Sequence, residues 1–142
     1  MSDAGRIMGV DVGEKRIGVA LSDETGFLAS AHSVIRSEGR ARDTATLARL
    51  AKAQAVSSVV VGMPLSLSGQ PGRQAEKARR FGEALARHDL EVVFWDERLT
   101  TLEAQRYLRD SGMRRAKRAE TVDAAAAAIL LQSYLDARRA RG

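Results

Sequence analysis

The fold is decided between residues 7 and 21, which read IMGVDVGEKRIGVAL. Two short apolar runs, 7–12 and 17–21, flank a turn that contains Gly13. Runs of this length around a glycine-containing turn are typical of a β-hairpin. The segment 27–35 follows a second turn and has a weaker strand pattern. The chain is therefore expected to begin with three meandering strands.

Helical and strand patterns alternate after this hairpin. Helices are predicted where apolar residues recur at spacings of three and four, and buried strands where valine-rich runs are continuous. The predicted order is a helix over 40–55, a strand over 56–62, a helix over 73–88, a strand over 90–95, and helices over 100–109 and 120–138. Thr100 and Glu103 form a capping-box pair at the start of the helix predicted over 100–109. This order predicts an α/β sheet in which an antiparallel section is joined to right-handed parallel crossovers.

A doubly wound dinucleotide-binding fold does not fit this pattern. In such folds the first strand enters a helix through a glycine-rich turn, whereas the turn at Gly13 leads into a second strand. The chain also contains neither a Gly-x-Gly-x-x-Gly motif nor a Walker lysine loop.

The composition restricts the chemistry. A chain of 142 residues is expected to form one domain, spanning 1–142. The absence of cysteine excludes thiolate catalysis, iron–sulfur clusters, cysteine zinc sites and disulfides. With only two histidines, a multi-histidine metal site cannot be assembled either. Any metal ion must therefore be held by oxygen.

The charge of the chain favours polyanions as partners. The formal net charge is +5, and seven basic residues stand between Arg98 and Arg118 against only Glu103 and Asp110. A second basic group, within 138–141, lies near the end of the chain. The longest apolar run has eight residues, against the roughly 20 that a membrane span needs. Since no secretory signal is found in the first residues, a cytoplasmic location is expected.

Asp11 lies inside the apolar run of the first strand, where aspartate is depleted. An ionised carboxylate in a dry sheet costs several kcal/mol unless it is paired or bound to a metal. One interpretation is that Asp11 only caps the turn at Gly13 by accepting hydrogen bonds from backbone amides. The other is that it belongs to a functional site.

Asp123 and Glu97 are two further acidic residues in unusual places. Counting by three and four from Asp123 reaches Ala127, Leu130 and Tyr134, so Asp123 lies on the apolar face of its helix. The small residues that follow it allow a close approach to the sheet, although a favourable interaction with the helix dipole is an alternative role. Glu97 follows a strand at its carboxyl end, where ligands of α/β sheets collect.

The neighbouring Asp96 points to the opposite face if the strand continues, so only one of the two can join a given site. Glu97 is chosen here, with Asp96 in reserve. An ion pair of Glu97 with Arg98 or Arg6 is the structural alternative. Three separated carboxylates in a basic protein without cysteine favour oxygen ligation of Mg²⁺ or Mn²⁺. Pairs of such ions about 4 Å apart hydrolyse phosphodiesters in many enzymes.

The motifs that contain these residues resemble one known family. They are, in chain order, Gly9-Val10-Asp11-Val12-Gly13, Arg16-Ile17-Gly18-Val19-Ala20, Val61-Gly62-Met63-Pro64-Leu65, Asp96-Glu97-Arg98-Leu99-Thr100-Thr101 and Asp123-Ala124-Ala125-Ala126-Ala127. In this order, over essentially the whole chain, they are similar to the YqgF/RuvX family of ribonuclease H-like proteins. The resemblance implies a mixed five-stranded sheet, with three antiparallel and two parallel strands, flanked by helices.

The same resemblance implies a function and a site. Asp11, Glu97 and Asp123 match the metal-binding and catalytic acids of the family, which would hold Mg²⁺ or Mn²⁺, two ions in all. The implied activity is endonucleolytic hydrolysis, either maturing the 5′ end of pre-16S ribosomal RNA or resolving Holliday junctions as RuvC does. A departure from the family is that this chain has Ser66 and Ser68 in a loop where many members have Asn and Asp.

Candidate nucleic-acid-binding residues are basic side chains and loop hydroxyls near the predicted site. They are Lys15, Arg16, Ser66, Ser68, Arg73, Arg98, Thr100, Thr101, Arg114, Arg115, Lys117 and Arg118. The basic ones are expected to grip phosphates and to make binding steeply dependent on salt. For many of them a solvated basic face is an equally good explanation, and Thr100 also serves as a helix cap.

Two other functions remain open at this point. A phosphotransferase of the actin and sugar-kinase type shares the Asp-x-Gly hairpin, but it needs two copies of the domain. A non-catalytic nucleic-acid-binding or ribosome-assembly factor is the stronger alternative. RNA or DNA as substrate, the choice of metal, a role for Asp96 and the oligomeric state are not decided by the sequence, although a resolvase would require a two-fold homodimer.

Overall fold

The computed structural model describes residues 5–64, 72–97 and 118–141 of the chain. Its strands are β1 (Arg6–Val12), β2 (Arg16–Ser22), β3 (Ala29–Arg36), β4 (Val56–Met63) and β5 (Glu91–Asp96). Its helices are α1 (Arg40–Ala53), α2 (Arg73–Ala86) and α3 (Arg118–Arg141). The predicted helix over 100–109, with its capping box, lies outside the described residues.

The five strands form one mixed sheet in the order β3-β2-β1-β4-β5. β1 pairs antiparallel with β2, and β2 antiparallel with β3, while β1–β4 and β4–β5 are parallel pairs. The predicted combination of a three-stranded meander with two parallel strands is therefore confirmed. This arrangement puts β1 in the middle of the sheet, with Asp11 near its carboxyl end.

Each face of the sheet is covered by helix. On one face, α1 and α2 pack through Leu47, Phe81 and Leu85 onto a core that includes Met8 and Val10. On the other face, α3 packs against the sheet, and its buried face consists mainly of alanine and leucine. Because alternate strand residues point to opposite faces, the odd-numbered residues of β1, including Asp11, face α3.

Two polar contacts fix α3 across the sheet. The side chain of Gln132, fully buried, accepts a hydrogen bond from the backbone N–H of Ala29 at 2.8 Å and donates one to the carbonyl of Phe27 at 3.1 Å. At the other edge, the indole Nε1 of Trp95 donates to Ser133 Oγ at 3.3 Å. These contacts tie the helix to β3 and to β5, so that its rotation about its own axis is restricted.

The element boundaries differ from the predicted ones by one to three residues. β3 begins at Ala29 rather than at 27, because the Asp23 carboxylate accepts hydrogen bonds from the N–H groups of Phe27 and Leu28 and prolongs the turn. α1 ends at Ala53 rather than 55, since Ala55 adopts a left-handed conformation with φ of 58°. α2 ends two residues before 88, β5 is shifted forward by one residue, and α3 extends from 118 to 141.

No helix in the described ranges is both long and apolar enough to cross a membrane.

Candidate active site

Asp11 and Glu97 meet on the α3 face of the sheet. Asp11 pairs with Gly18 of β2, and because Val10 pairs with Val61, it comes next to Gly62 of β4. Glu97 follows β5 and lies on the same face of the sheet as Val93 and Trp95, which pack against α3. The side chains of Asp11 and Glu97 are hydrogen-bonded to each other. Two carboxyl groups on strands that are not neighbours in the sheet are thus in direct contact.

The contact is possible because β4, which lies between these strands, has glycine at position 62. A Cβ at Gly62 would lie 2.6 Å from Glu97 Oε2 and 3.0 Å from Leu130 Cδ2. Any side chain there would displace the Glu97 carboxyl group from its place beside Asp11. Gly62 therefore provides the space in which the two acids meet.

Asp123 is brought to the same region by α3. A Cβ at Gly18 would collide with the main-chain carbonyl of Asp123, so helix and strand touch at this point. The negative charge of Asp123 reaches Asp11 and disfavours its ionised form. The Asp123 carboxylate itself binds Arg16, whose Nε donates to Oδ2 at 2.8 Å. The three acids singled out in the sequence therefore lie in one region, although only two of them touch.

Burial, together with the crowding of negative charge, raises the pKa values of the touching pair. Burial raises the pKa of Asp11, and the charge of Asp123 adds to this, while the hydrogen bond with Glu97 opposes it. Burial, the charge of Asp11 and their hydrogen bond raise the pKa of Glu97 to about 7, with a further contribution from the charge of Asp96. Near neutral pH the pair thus tends to share one proton.

The chemistry of this donor set fits a divalent cation of the Mg²⁺ or Mn²⁺ type. All three groups are carboxylates, which are the ligands that such hard ions prefer. Burial and the repulsion between the acids raise the pKa of Glu97, and a bound cation would relieve the repulsion. As the side chains stand, no three His, Cys, Asp or Glu residues of the described ranges form a group that could hold an ion. The bond of Asp123 to Arg16 is consistent with this, because it engages the third acid elsewhere.

A pH-dependent stability of the metal-free protein is expected from the acid pair. The folded-state pKa of Glu97 is about 7 against an ordinary 4.5, and that of Asp11 is also raised. The folded protein therefore holds more protons than the unfolded chain, so the free energy of unfolding falls as the pH rises from about 4.5 to 7. For half-buried carboxyl groups we expect a loss of about 1 to 3 kcal/mol.

Thermal melts in EDTA at pH 5 and pH 7.5 would measure this loss. Glu97→Gln is the matched control, because it removes the shifted group and should show a smaller decrease between the two pH values. Saturating Mn²⁺ should also reduce the decrease in the wild type. Equal pH dependence in wild type and Glu97→Gln would show that the pair does not titrate in this way.

The structure places only some of the candidate nucleic-acid-binding residues. Lys15 and Arg16 are exposed in and after the β1–β2 turn, and Arg73 is exposed at the start of α2. Arg118 begins α3. The remaining candidates lie outside the described residues; they are Ser66, Ser68, Arg98, Thr100, Thr101, Arg114, Arg115 and Lys117.

One cation near the site was missed by the sequence analysis. Lys77 of α2 donates from Nζ to the carbonyl oxygens of Gly13 and Glu14, at 3.1 and 3.4 Å. It thereby ties α2 to the turn that follows Asp11. The available signal was its spacing of four from Arg73, which puts both side chains on the same face of the helix.

The alternative ion pair of Glu97 with Arg6 is not formed. The Arg6 guanidinium donates instead to Gln54 Oε1 at 2.8 Å. Arg98, the other alternative partner, lies outside the described residues.

Comparison with known proteins identifies relatives over nearly the full chain. A protein of Symbiobacterium thermophilum, named "Putative pre-16S rRNA nuclease", is 50% identical over 137 residues, covering 96% of this chain and 95% of the relative. A protein of the same name from Caldanaerobacter subterraneus subsp. tengcongensis is 44% identical over 136 residues, covering 94% and 98% of the two chains.

A solved structure has the same fold at low sequence identity. T. thermophilus RuvC, in complex with a Holliday junction substrate, superimposes with a TM-score of 0.65 at 16% identity, covering 95% of this chain and 96% of that chain. The family model described as "RuvX: Holliday junction resolvase" matches residues 5–137. The chain accordingly belongs to the RuvX (YqgF) family of ribonuclease H-like nucleases, enzymes that hydrolyse phosphodiester bonds.

Proposed function

We propose that this protein is a divalent-metal-dependent endonuclease, formed by a single domain over 1–142, that processes the 5′ end of pre-16S ribosomal RNA. The observation that carries the proposal is the contact between Asp11 and Glu97 beside Asp123, in a basic protein. Two half-buried carboxyl groups in contact destabilise the fold unless they share a proton or a cation. A site that is retained at such a cost is typical of function rather than of stability.

Asp11, Glu97 and Asp123 would together hold Mg²⁺ or Mn²⁺, two ions in all. Bound there, these ions would supply activation of the attacking water and neutralisation of the charge on the scissile phosphate. The chain's own residues orient the acids: Gly62 leaves room for Glu97, and Gly18 allows α3 to bring Asp123 to the sheet. Lys15, Arg16 and Arg73 are exposed cations suited to bind the phosphates of the substrate.

RNA is favoured over a DNA junction because of the relatives. Those named for pre-16S rRNA are 44 and 50% identical to this chain, whereas RuvC, seen with a Holliday junction, is 16% identical. A substrate of this kind also places the protein in the cytoplasm. Junction resolution is the second candidate, since it is the activity in the description of the family model, and it would require a two-fold homodimer to cut two strands symmetrically.

The proposal is tested by cleavage of two end-labelled substrates with Mg²⁺ or Mn²⁺. One is a single-stranded RNA carrying a pre-16S 5′ leader, and the other is a mobile four-way DNA junction. We expect RNA cuts near the mature 5′ end with the wild type and with Glu14→Gln, which removes an exposed carboxylate in the turn after Asp11. Asp11→Asn should bind the RNA without cutting it.

The other outcomes are equally informative. Paired symmetric nicks confined to the junction would replace the RNA assignment by that of a resolvase. If wild type and Asp11→Asn bind both substrates and cut neither, the protein acts as a nucleic-acid-binding or assembly factor and the nuclease proposal fails.

A further inference from the structure

Among the basic candidates whose side chains the structure describes, Arg16 is the one joined to the acidic site. It is the first residue of β2, and its Nε donates to Asp123 Oδ2 at 2.8 Å. The contact links positions that are 107 residues apart in the chain. Its members are partly exposed, with 56% of the Arg16 side chain and 33% of the Asp123 side chain accessible to solvent. An ion pair this open is weak, of the order of 1 kcal/mol or less, and can exchange partners readily.

Asp123 and Arg16 each have a second role in the proposed function. Asp123 must offer its carboxylate to a cation, and the cation competes with the guanidinium for the same oxygens. Arg16 is a candidate to bind a phosphate, and a guanidinium that is bound to a carboxylate is less available for that. The contact between Arg16 and Asp123 therefore opposes both roles, because it occupies Arg16 Nε and Asp123 Oδ2.

The surroundings of Arg16 favour its release towards an anion. Arg16 is paired directly with Arg36 across the β2–β3 ladder, so two like charges face each other at the edge of the sheet. Arg36 is exposed and forms no ion pair within the described ranges. Once Asp123 is withdrawn from Arg16, the paired positions 16 and 36 carry two positive charges, which favours a phosphate of the substrate.

We propose that Arg16 couples metal loading to substrate binding by exchanging partners: it holds Asp123 in the metal-free protein and binds a phosphate of the nucleic acid when the cation takes Asp123. This inference rests on the proposed function and adds the order of events at its site. Arg16 is a positioning residue for Asp123 in the metal-free protein and a substrate-binding residue in the metal-loaded protein. Metal ion and nucleic acid strengthen each other's binding through this residue.

Mn²⁺ binding without nucleic acid, measured by calorimetry on the full chain, tests the first half of the exchange. Arg16→Met removes the competitor, so it should bind Mn²⁺ roughly threefold to tenfold more tightly than the wild type. Arg36→Met is the matched control, because it removes the same charge from the position opposite Arg16 without touching Asp123. The Mn²⁺ affinity of Arg36→Met should stay within about twofold of the wild type. The comparison distinguishes the loss of the Arg16–Asp123 contact from the loss of one positive charge near the site.

Nucleic-acid binding tests the second half. The probe is a single-stranded RNA that carries a pre-16S 5′ leader with phosphorothioate linkages, which keep the charge and slow hydrolysis, at fixed salt. In EDTA, Arg16→Met should change the affinity by less than about twofold, because Arg16 is then bound to Asp123. With saturating Mn²⁺, the same variant should lose roughly tenfold. A residue with only a structural role would weaken both kinds of binding, rather than strengthen one and weaken the other.

The results distinguish failure of this inference from failure of the proposed function. If the wild type binds Mn²⁺ and Arg16→Met binds it no more tightly, or if Arg36→Met gains as much, the exchange is overturned while the metal site stands. If neither the wild type nor Arg16→Met binds Mn²⁺, the proposed metal site itself fails. If circular dichroism shows that Arg16→Met does not fold, Arg16→Lys, which keeps the charge, replaces it. The Mn²⁺ affinity and the nucleic-acid affinity of Arg16→Lys should lie between those of the wild type and those expected for Arg16→Met.

Discussion

Asp11→Asn is expected to abolish cleavage and, without metal ions, to make the protein more stable. Asp11 lies in the middle of the sheet, touches Glu97 and is within reach of the charge of Asp123. The asparagine keeps the size and a hydrogen bond to Glu97, but it removes one of the negative charges from a half-buried cluster. We expect a gain of about 1 to 2 kcal/mol in EDTA, or roughly 3 to 8 °C in melting temperature.

The loss of activity should be larger than roughly 100-fold. Removing a residue that only orients a metal ligand typically costs 10- to 100-fold, and Asp11 is proposed as a ligand itself. Cleavage assays and melts with and without Mn²⁺ measure both effects, and Mn²⁺ should stabilise the wild type much more than the variant. Glu14→Gln is the control and should resemble the wild type in each assay. A variant that is less stable than the wild type in EDTA would contradict the view that the acid pair is strained.

Gly18→Ala is expected to destabilise the protein and to weaken metal binding together. The new Cβ would collide with the Asp123 carbonyl and come within 3.2 Å of the Ala124 nitrogen. These are main-chain atoms of α3, so the clash is relieved only if the helix moves away from β2. Overpacking of this kind costs about 1 to 3 kcal/mol. Asp123 would move with the helix, away from Asp11.

Urea unfolding and Mn²⁺ calorimetry would measure these two losses. Gly72→Ala is the matched control, because a Cβ at Gly72 would meet no atom of the described residues within 4 Å. Gly72 is the N-cap of α2, where the exchange should change stability by less than about 1 kcal/mol. If Gly18→Ala is as stable as the wild type and binds Mn²⁺ equally well, α3 is not held at the sheet by this close approach.

Most of the fold could be predicted because its signals are local. The apolar runs around Gly13 and the valine-rich run of β4 are contiguous stretches with a clear strand pattern, and α2 has helical spacing throughout. The boundaries that differed depend on contacts over a few residues, such as the Asp23 carboxylate binding the N–H of Phe27. Alternation along the strand also indicated that only one of Asp96 and Glu97 could join a given site.

The partners of the charged side chains could not be predicted in the same way. Arg16 and Asp123 are 107 residues apart, and Lys77 lies 64 residues from Gly13. Nothing in the local pattern of either segment specifies such a pair. From the sequence, Arg16 is only a phosphate-binding candidate and Lys77 has no assigned role, because spacing along a helix or strand indicates a face but not the group across from it.

By itself, the sequence determined the class of chemistry and the order of the strands and helices. Without cysteine and with two histidines, the chain offers mainly oxygen ligands, and the positions of its acids in apolar runs are visible without a structure. The tertiary structure decided that Asp11 and Glu97 touch, that Gly62 leaves room for Glu97 and Gly18 for the approach of α3, and that Arg16 holds Asp123. The physical reason is that composition and periodicity are properties of neighbouring residues, whereas pKa shifts, close approach and ion pairs depend on distances between strands and helices that only the packed sheet defines.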